Sequence, residues 1–249
     1  MELSGRTWLI TGGSAGIGLA LAKAVAELGN RVIICGRNQE NLDRVRQENP
    51  SLITWQCDVG EATSRAAMIS WLTQEHPDLS VLVNNAGLQI PRDFVGDNAA
   101  AGIDSEIAVN LSAPIHLILG LLPQLRRQPQ ASIINVTSGL AYSPMAVFPV
   151  YCATKSALHS FTMSLRHQLR DTHIEIIEMA PPIVATGLRS QETANHNPAA
   201  STAITPEQFV REALPQLAAG RPEVLVGQSI ATRSQGEALF ERMNSQGPQ

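Results

Sequence analysis

Short runs of consecutive apolar residues alternate along this chain with longer segments whose apolar positions recur at helical spacing. The short runs are Thr7–Thr11, Arg31–Cys35, Leu52–Gln56, Leu79–Asn84, Ser132–Thr137, Ile174–Met179 and Glu223–Val226. Several are almost unbroken Val, Ile and Leu, the pattern of strands covered by helices on both faces. Between them, helical periodicity runs near 16–29, 39–47, 61–75, 101–122, 151–171 and 206–219. An alternation sustained this long predicts an α/β fold, a doubly wound parallel sheet (Rossmann fold) of about seven strands with right-handed crossovers. Ligand is then expected beyond the carboxyl ends of the strands, where the strand order reverses. No internal repeat or linker divides residues 1–249, so a single domain is expected. The polar stretch near 186–205, rich in Ala, Asn, Ser and Thr, reads as a substrate loop. Ser229–Asn244 can form one more amphipathic helix through Ile230, Leu239, Phe240 and Met243.

Composition narrows the picture. Hydrophobic residues make up 44% and charged residues 16%, and the net charge is -4, a balance that argues against a nucleic-acid binder. The amino terminus enters an apolar run without a basic region and cleavage site, and the apolar stretch Leu111–Leu122 carries Pro114 and His116. Neither a secretory signal nor a membrane span is expected from these segments. Cys35, Cys57 and Cys152 have no metal-like spacing, which suits reduced thiols in a cytoplasmic protein. Cys35 and Cys57 fall on strands expected to be neighbours, as buried thiols rather than a disulfide. No metal site is expected, and His116, His159 and His167 read as packed or solvated helix residues.

The first strand leads into Thr11-Gly12-Gly13-Ser14-Ala15-Gly16-Ile17-Gly18 and then a helical pattern. Glycines allow the backbone to turn sharply and approach a pyrophosphate, and the helix start presents free N–H groups and a positive dipole end. A tight structural turn is the plain alternative, weakened by the strand–turn–helix context. The second strand ends in Gly36-Arg37-Asn38, with no acid for a ribose 2′-hydroxyl. Arg37 can pair with a 2′-phosphate, or it is simply a solvated surface arginine; the residue types favour NADP(H) over NAD(H).

Tyr151 and Lys155 stand four residues apart at the start of a helical pattern, so both can face one spot. An ammonium beside a phenol favours the phenolate and makes tyrosine usable as an acid or base. Ser138, at the end of the fifth strand, lies where its hydroxyl can hold a substrate oxygen.

Thr-Gly-x-x-x-Gly-x-Gly, Asn84-Asn85-Ala86-Gly87, Ser138 and Tyr151-x-x-x-Lys155 together resemble the short-chain dehydrogenase/reductase (SDR) family over about residues 5–227. The Gly-Arg after the second strand, Asn-Val-Thr-Ser-Gly-Leu-Ala and Ala180-Pro181-Pro182 look like the branch that includes the DltE-type oxidoreductases. The resemblance implies a catalytic tetrad of Asn110, Ser138, Tyr151 and Lys155, with Asn110 holding a water that links the lysine to solvent. It implies that Gly12, Ser14, Gly16, Ile17, Gly18, Arg37, Val59, Asn85, Ala86 and Gly87 bind the dinucleotide, together with Tyr151, Lys155, Pro181, Val184 and Thr186. Asp58 either contacts adenine, as the resemblance implies, or caps the following helix. Pro182 stands where the family more often has glycine, which removes a backbone donor near the nicotinamide.

An NADP(H)-dependent oxidoreductase that interconverts a carbonyl and a secondary alcohol is therefore expected, with Tyr151 as general acid/base. A non-catalytic NADP(H)-sensing regulator is the alternative, and a third reading is an epimerase or dehydratase that retains NAD. Expected pocket walls are Leu88-Gln89-Ile90, Gly139-Leu140-Ala141, Met145, Phe148 and the 186–205 segment, a largely apolar lining for a small neutral substrate. Helices over 101–122 and 151–171 are expected to join copies into a homo-oligomer, dimer or tetramer.

Overall fold

The computed structural model describes residues 1–96, 99–186 and 203–245. The sheet order is β3-β2-β1-β4-β5-β6-β7, and every pairing is parallel. The strands are β1 Thr7–Thr11, β2 Arg31–Gly36, β3 Leu52–Gln56, β4 Leu79–Asn84, β5 Ala131–Val136, β6 Ile174–Ala180 and β7 Glu223–Leu225. Each lies within a residue or so of the run that predicts it.

Alternation along each strand divides the core in two. Trp8 and Ile10 of β1, with Val32 and Ile34 of β2, face one layer, which contains helices α1 Gly16–Glu27 and α2 Gln39–Glu48. Helix α7, Pro206–Ala218, adds Phe209, Ala213 and Leu217 to the same layer. Leu9, Ile33 and Cys35 face the opposite layer, where α3 Ala62–Glu75, α5 Ala113–Leu125 and α6 Pro149–Gln168 supply Met68, Leu117 and Leu165. Both faces are thus covered, which is why the strands read as unbroken apolar runs rather than alternating ones. All three cysteines are free and buried; Cys35 lies one residue before the end of β2 and Cys57 one residue after the end of its neighbour β3.

Two of the expected helices are broken. The segment near 101–122 is α4 Ile103–Ile107, a π-helical turn Ala108–Ser112, then α5. One residue too many enters that turn, and Asn110 sits inside it, fully buried. The continuous stretch Ile103–Leu125 is 23 residues long and its most apolar 18 residues have a mean hydropathy of 1.5, so by length and composition alone it could cross a membrane, as Leu111–Leu122 could not. Its Leu117, Ile118, Leu121 and Leu125 pack into the second core layer. The single helix expected over Ser229–Asn244 is also interrupted: α8 Gln228–Gln235, a 3₁₀ turn Gly236–Leu239, and α9 Phe240–Asn244. Gly236 takes a φ of 56°, a conformation outside any right-handed helix.

Strand order reverses between β1 and β4, so the carboxyl ends of these neighbours open a crevice in which the loops after every strand from β1 to β6 can meet.

Candidate active site

The crevice is a cavity of about 1300 Å³ running across the carboxyl ends of the strands. Its first end is made mostly of backbone. Gly12 turns with a φ of +65°, and a Cβ there would stand 2.9 Å from Ala86 Cα. A Cβ on Gly18 would stand 2.4 Å from the Gly12 carbonyl oxygen, so helix α1 can approach the turn only through glycine. Ala15 begins α1 with no side-chain cap, and no acidic residue lies in the first turn. The leading N–H groups of the helix therefore face the cavity beside Gly16 and Ile17 on its wall.

The turn is clipped to β4 by side chains. Thr11 Oγ1 accepts the N–H groups of Asn85 at 2.9 Å and Ala86 at 3.0 Å, and Asn85 Nδ2 donates to the Thr11 carbonyl at 2.8 Å. The Asn-Asn-Ala-Gly run is thus a brace for the glycine turn as well as part of the wall. Ser14 Oγ lies beside Gly36, where an added Cβ would meet it at 3.1 Å.

Arg37 stands on the wall between β2 and α2, which Asn38 caps by accepting the Asn41 N–H at 2.9 Å. Arg37 is exposed, and no carboxylate among the described residues pairs with it. Asp58 and Val59 also line this end. Asp58 accepts the Gly60 N–H at 2.8 Å, whereas α3 begins after Glu61, so Asp58 closes its own turn and does not cap the helix.

The other end is made of side chains. Ser138 follows β5 with extended backbone, and its Oγ accepts the Leu140 N–H at 3.1 Å, which starts the 3₁₀ turn Gly139–Ala141. Pro149 opens α6, and its fixed φ suits a first helical residue. Tyr151 and Lys155 then project from the first turns of α6 onto the same cavity wall as Ser138. Lys155 Nζ donates to the Val136 carbonyl at 2.8 Å and stands 5.8 Å from the centre of the Tyr151 ring. Burial pulls the lysine down to about 8, so its proton is held loosely.

Asn110 does not reach the wall. Its Oδ1 accepts the Leu88 N–H at 2.8 Å, while Nδ2 donates to the Leu88 carbonyl at 2.8 Å and to Thr154 Oγ1 at 3.1 Å. It stands beside Gly87, from which an added Cβ would meet Asn110 Oδ1 at 3.5 Å and Lys155 Nζ at 3.8 Å. The π turn therefore delivers an amide next to the lysine.

The loop after β6 closes this end. Pro181 accepts the Gly139 N–H at 2.9 Å, Val184 bridges to Ile204, and Thr186 leans over Gly16, where an added Cβ would meet Thr186 Cγ2 at 2.9 Å. Pro182 lines the wall without disturbing these contacts. Most of the expected substrate loop, residues 187–202, lies outside the described residues.

Of the expected pocket walls, Leu88, Gln89, Gly139, Leu140 and Met145 line the cavity. Phe148 is fully buried beneath it, and Ile90 and Ala141 are also set back from the wall. The sequence reading missed the carboxyl-terminal contribution: Leu239, Arg242, Met243 and Asn244 line the same end. Asn244 fixes them there, accepting the Ala146 N–H at 2.6 Å and donating to the Pro144 carbonyl at 3.2 Å. The apolar positions Leu239 and Met243 were the signal for a packed helix, but nothing in them pointed at this loop.

The glycine cradle, the uncapped start of α1 and the adjoining polar end fit a nicotinamide dinucleotide laid across the crevice. Residues 6–197 match the short chain dehydrogenase family. The chain is 49% identical to the uncharacterized oxidoreductase DltE of Bacillus subtilis (strain 168), with 99% of each protein covered. It is 32% identical to an NADP-dependent 3-hydroxy acid dehydrogenase of Schizosaccharomyces pombe, over 74% of each chain. A short chain dehydrogenase from Burkholderia cenocepacia J2315, solved in complex with NADP, shares the fold with a TM-score of 0.81 at 24% identity, over 94% of both chains. The chain belongs to the short chain dehydrogenase family.

Proposed function

We propose that this protein is an NADP(H)-dependent oxidoreductase that interconverts a carbonyl and a secondary alcohol, with Tyr151 as general acid/base. The observation that carries this reading is that Ser138, Tyr151 and Lys155 line the same cavity as the glycine cradle, with Lys155 Nζ 5.8 Å from the centre of the Tyr151 ring. A nicotinamide cofactor bound in this crevice would supply or accept the hydride. The Ser138 hydroxyl orients the substrate oxygen, and the Tyr151 phenol gives that oxygen a proton in reduction or takes one in oxidation. The Lys155 ammonium, desolvated and near the ring, favours the phenolate that proton loss leaves behind. We assign Asn110, beside the lysine, to the water link between it and solvent; its amide N–H groups are bonded to Leu88 and Thr154, so its oxygen atoms would hold that water.

NADP(H) rather than NAD(H) is supported by Arg37 at the end of β2 and by the cofactor in the name of the fission-yeast relative. Leu140, Met145, Leu239 and Met243 give the substrate end an apolar side, beside Arg242 and Asn244, and we read the substrate as a small neutral carbonyl or alcohol. We also propose a cytoplasmic homo-oligomer. Leu119 on α5 and Met163 on α6 are 61% and 49% exposed, on the helices expected to join copies, and the three thiols are free. Light scattering that finds only monomer would remove the oligomer.

The deciding experiment follows NADPH absorbance, as it falls with a panel of aldehydes, ketones and diketones and as it rises from NADP+ with 3-hydroxy acids, comparing wild type with Tyr151→Phe. Turnover by the wild type that disappears in the variant supports the reductase. NADPH binding with a silent panel favours the sensing protein instead.

A further inference from the structure

One fully buried carboxylate lies behind the site and takes no part in the chemistry described above. Glu178 sits in β6, in register with Asn135 of β5 and Glu223 of β7, and none of its side chain is exposed. A carboxylate in the core of a sheet is costly unless its lone pairs are met. Here they are met by three side chains from three places. Oε1 accepts from Thr137 Oγ1 at 2.6 Å and from the Tyr142 hydroxyl at 2.9 Å. Oε2 meets His159 Nδ1 at 2.7 Å.

The positions of the donors give the arrangement its meaning. Thr137 immediately precedes Ser138, and Tyr142 immediately follows the 3₁₀ turn that Ser138 starts. Both ends of the Ser138 turn are therefore tied to one oxygen. His159 belongs to α6, one turn beyond Lys155 and two beyond Tyr151, so the helix that carries those two residues is tied to the other oxygen.

We propose that Glu178 is a positioning residue: its two carboxylate oxygens lock the Ser138 turn and the Tyr151/Lys155 helix into one fixed relation. This inference rests on the reading of Ser138, Tyr151 and Lys155 as the reacting groups. Glu178 itself lines no part of the cavity.

The surroundings keep the lock charged. Burial pushes the Glu178 carboxyl up, but the bonds from His159, Thr137 and Tyr142 outweigh it and hold the group below the ordinary carboxylate range. Burial and the neighbouring Glu178 charge push the Tyr142 phenol far up, so it remains a donor. From α8, the Arg233 guanidinium lies 5.1 Å over the Tyr142 ring and pairs with Glu223 of β7 at 3.0 and 3.1 Å. The His159 ring meets the Tyr142 ring edge to face at 5.0 Å, which braces the two arms against each other. A hydrophobic residue would fill this position at lower cost in desolvation, but it could not hold two elements at once.

The test uses a readout that does not need turnover. The chain has only two tyrosines, so phenolate absorbance titrations of each variant, with the same variant carrying Tyr151→Phe subtracted, follow Tyr151 alone. Removing the Glu178 charge without moving anything would make the phenolate easier to form and lower the Tyr151 midpoint. Losing the lock would separate the phenolate from the Ser138 hydroxyl and raise it. We expect Glu178→Gln to raise the midpoint by about one unit and to lower kcat about tenfold or more. NADPH affinity, read by fluorescence, should stay within about twofold.

His159→Ala, on the more exposed arm, should do the same and keeps the test alive if Glu178→Gln does not fold. His159→Gln, which retains a donor toward Oε2, should recover most of the loss. A Tyr151 midpoint that falls or stays put in folded Glu178→Gln, or equal behaviour of His159→Ala and His159→Gln, would overturn the inference. A raised midpoint in a protein that reduces nothing on the panel would instead remove the proposed reaction and leave the lock in place.

Discussion

The two ends of the cavity are built on opposite principles. The end after β1 is a surface of backbone, held by glycines and by Thr11 and Asn85, whose side chains bond to main chain. Its recognition comes from N–H groups that every residue possesses, so what matters is the absence of side chains at a few positions. The end after β5 is a surface of side chains, where in the proposed reaction Ser138, Tyr151 and Lys155 act by their functional groups, and Thr137, Tyr142 and His159 are tied to Glu178 behind them. The first end should therefore fail when an atom is added, and the second when a charge or donor is removed.

The largest expected effect lies at the second end. Lys155→Met should reduce turnover by about 10²–10⁴-fold, the range of a lost acid/base device. The same change should stabilise the fold near neutral pH. Burial brings the Lys155 ammonium down to about 8 in the folded protein, against 10.5 for an ordinary lysine. Between those pH values the unfolded chain binds more protons, so wild-type stability rises as pH rises through that window. Below it, holding the buried ammonium costs about 3 kcal/mol. Melting curves should show the variant more stable at pH 7, with the gap closing toward pH 10.5. A gap that does not change with pH would mean that the lysine is not strained by burial.

Next in size is the addition of one carbon at the first end. Gly18→Ala places a Cβ 2.4 Å from the Gly12 carbonyl and 2.5 Å from Asn85 Nδ2, so the turn and its brace must both shift. Overpacking of this kind costs about 1–3 kcal/mol. Cofactor binding and melting temperature should fall together, while the Tyr151 phenolate midpoint stays where it was. Calorimetry that finds NADPH affinity intact would show that the cradle is softer than its contacts imply.

The same contrast explains what could be read from the sequence. The strands and the glycine turn are local, since each needs only neighbouring residues, and both core layers leave a pattern in the strands they cover. The Tyr151 and Lys155 pair is legible for the same reason, being one helical turn apart. The π turn at Asn110 is not, because one extra residue in a helix leaves no mark in apolar periodicity. The break at Gly236 was hidden by the apolar residues on either side of it. Glu178 looks like a stray acid in an apolar strand. Its partners lie 19, 36 and 41 residues away, and His159 by itself reads as an ordinary helix histidine. Side chains that act through space are the part of the site that sequence order conceals.

Arg37 crosses that division. It is a side chain at the backbone end, exposed on the wall after β2, with no acidic residue at the strand end to receive a ribose hydroxyl. A charge-assisted bond to a 2′-phosphate is worth about 1.5–3 kcal/mol, so Arg37→Ala should weaken NADPH by about tenfold or more. NADH lacks that phosphate and should change by less than about twofold, because the glycine cradle and the α1 N–H groups are common to both cofactors. Raising the salt concentration should shrink the wild-type preference, since an exposed pair is screened. Titration of each cofactor into wild type and variant measures both effects. Equal losses for NADPH and NADH would assign Arg37 to the shape of the wall rather than to the phosphate, leaving the choice of cofactor to the backbone end alone.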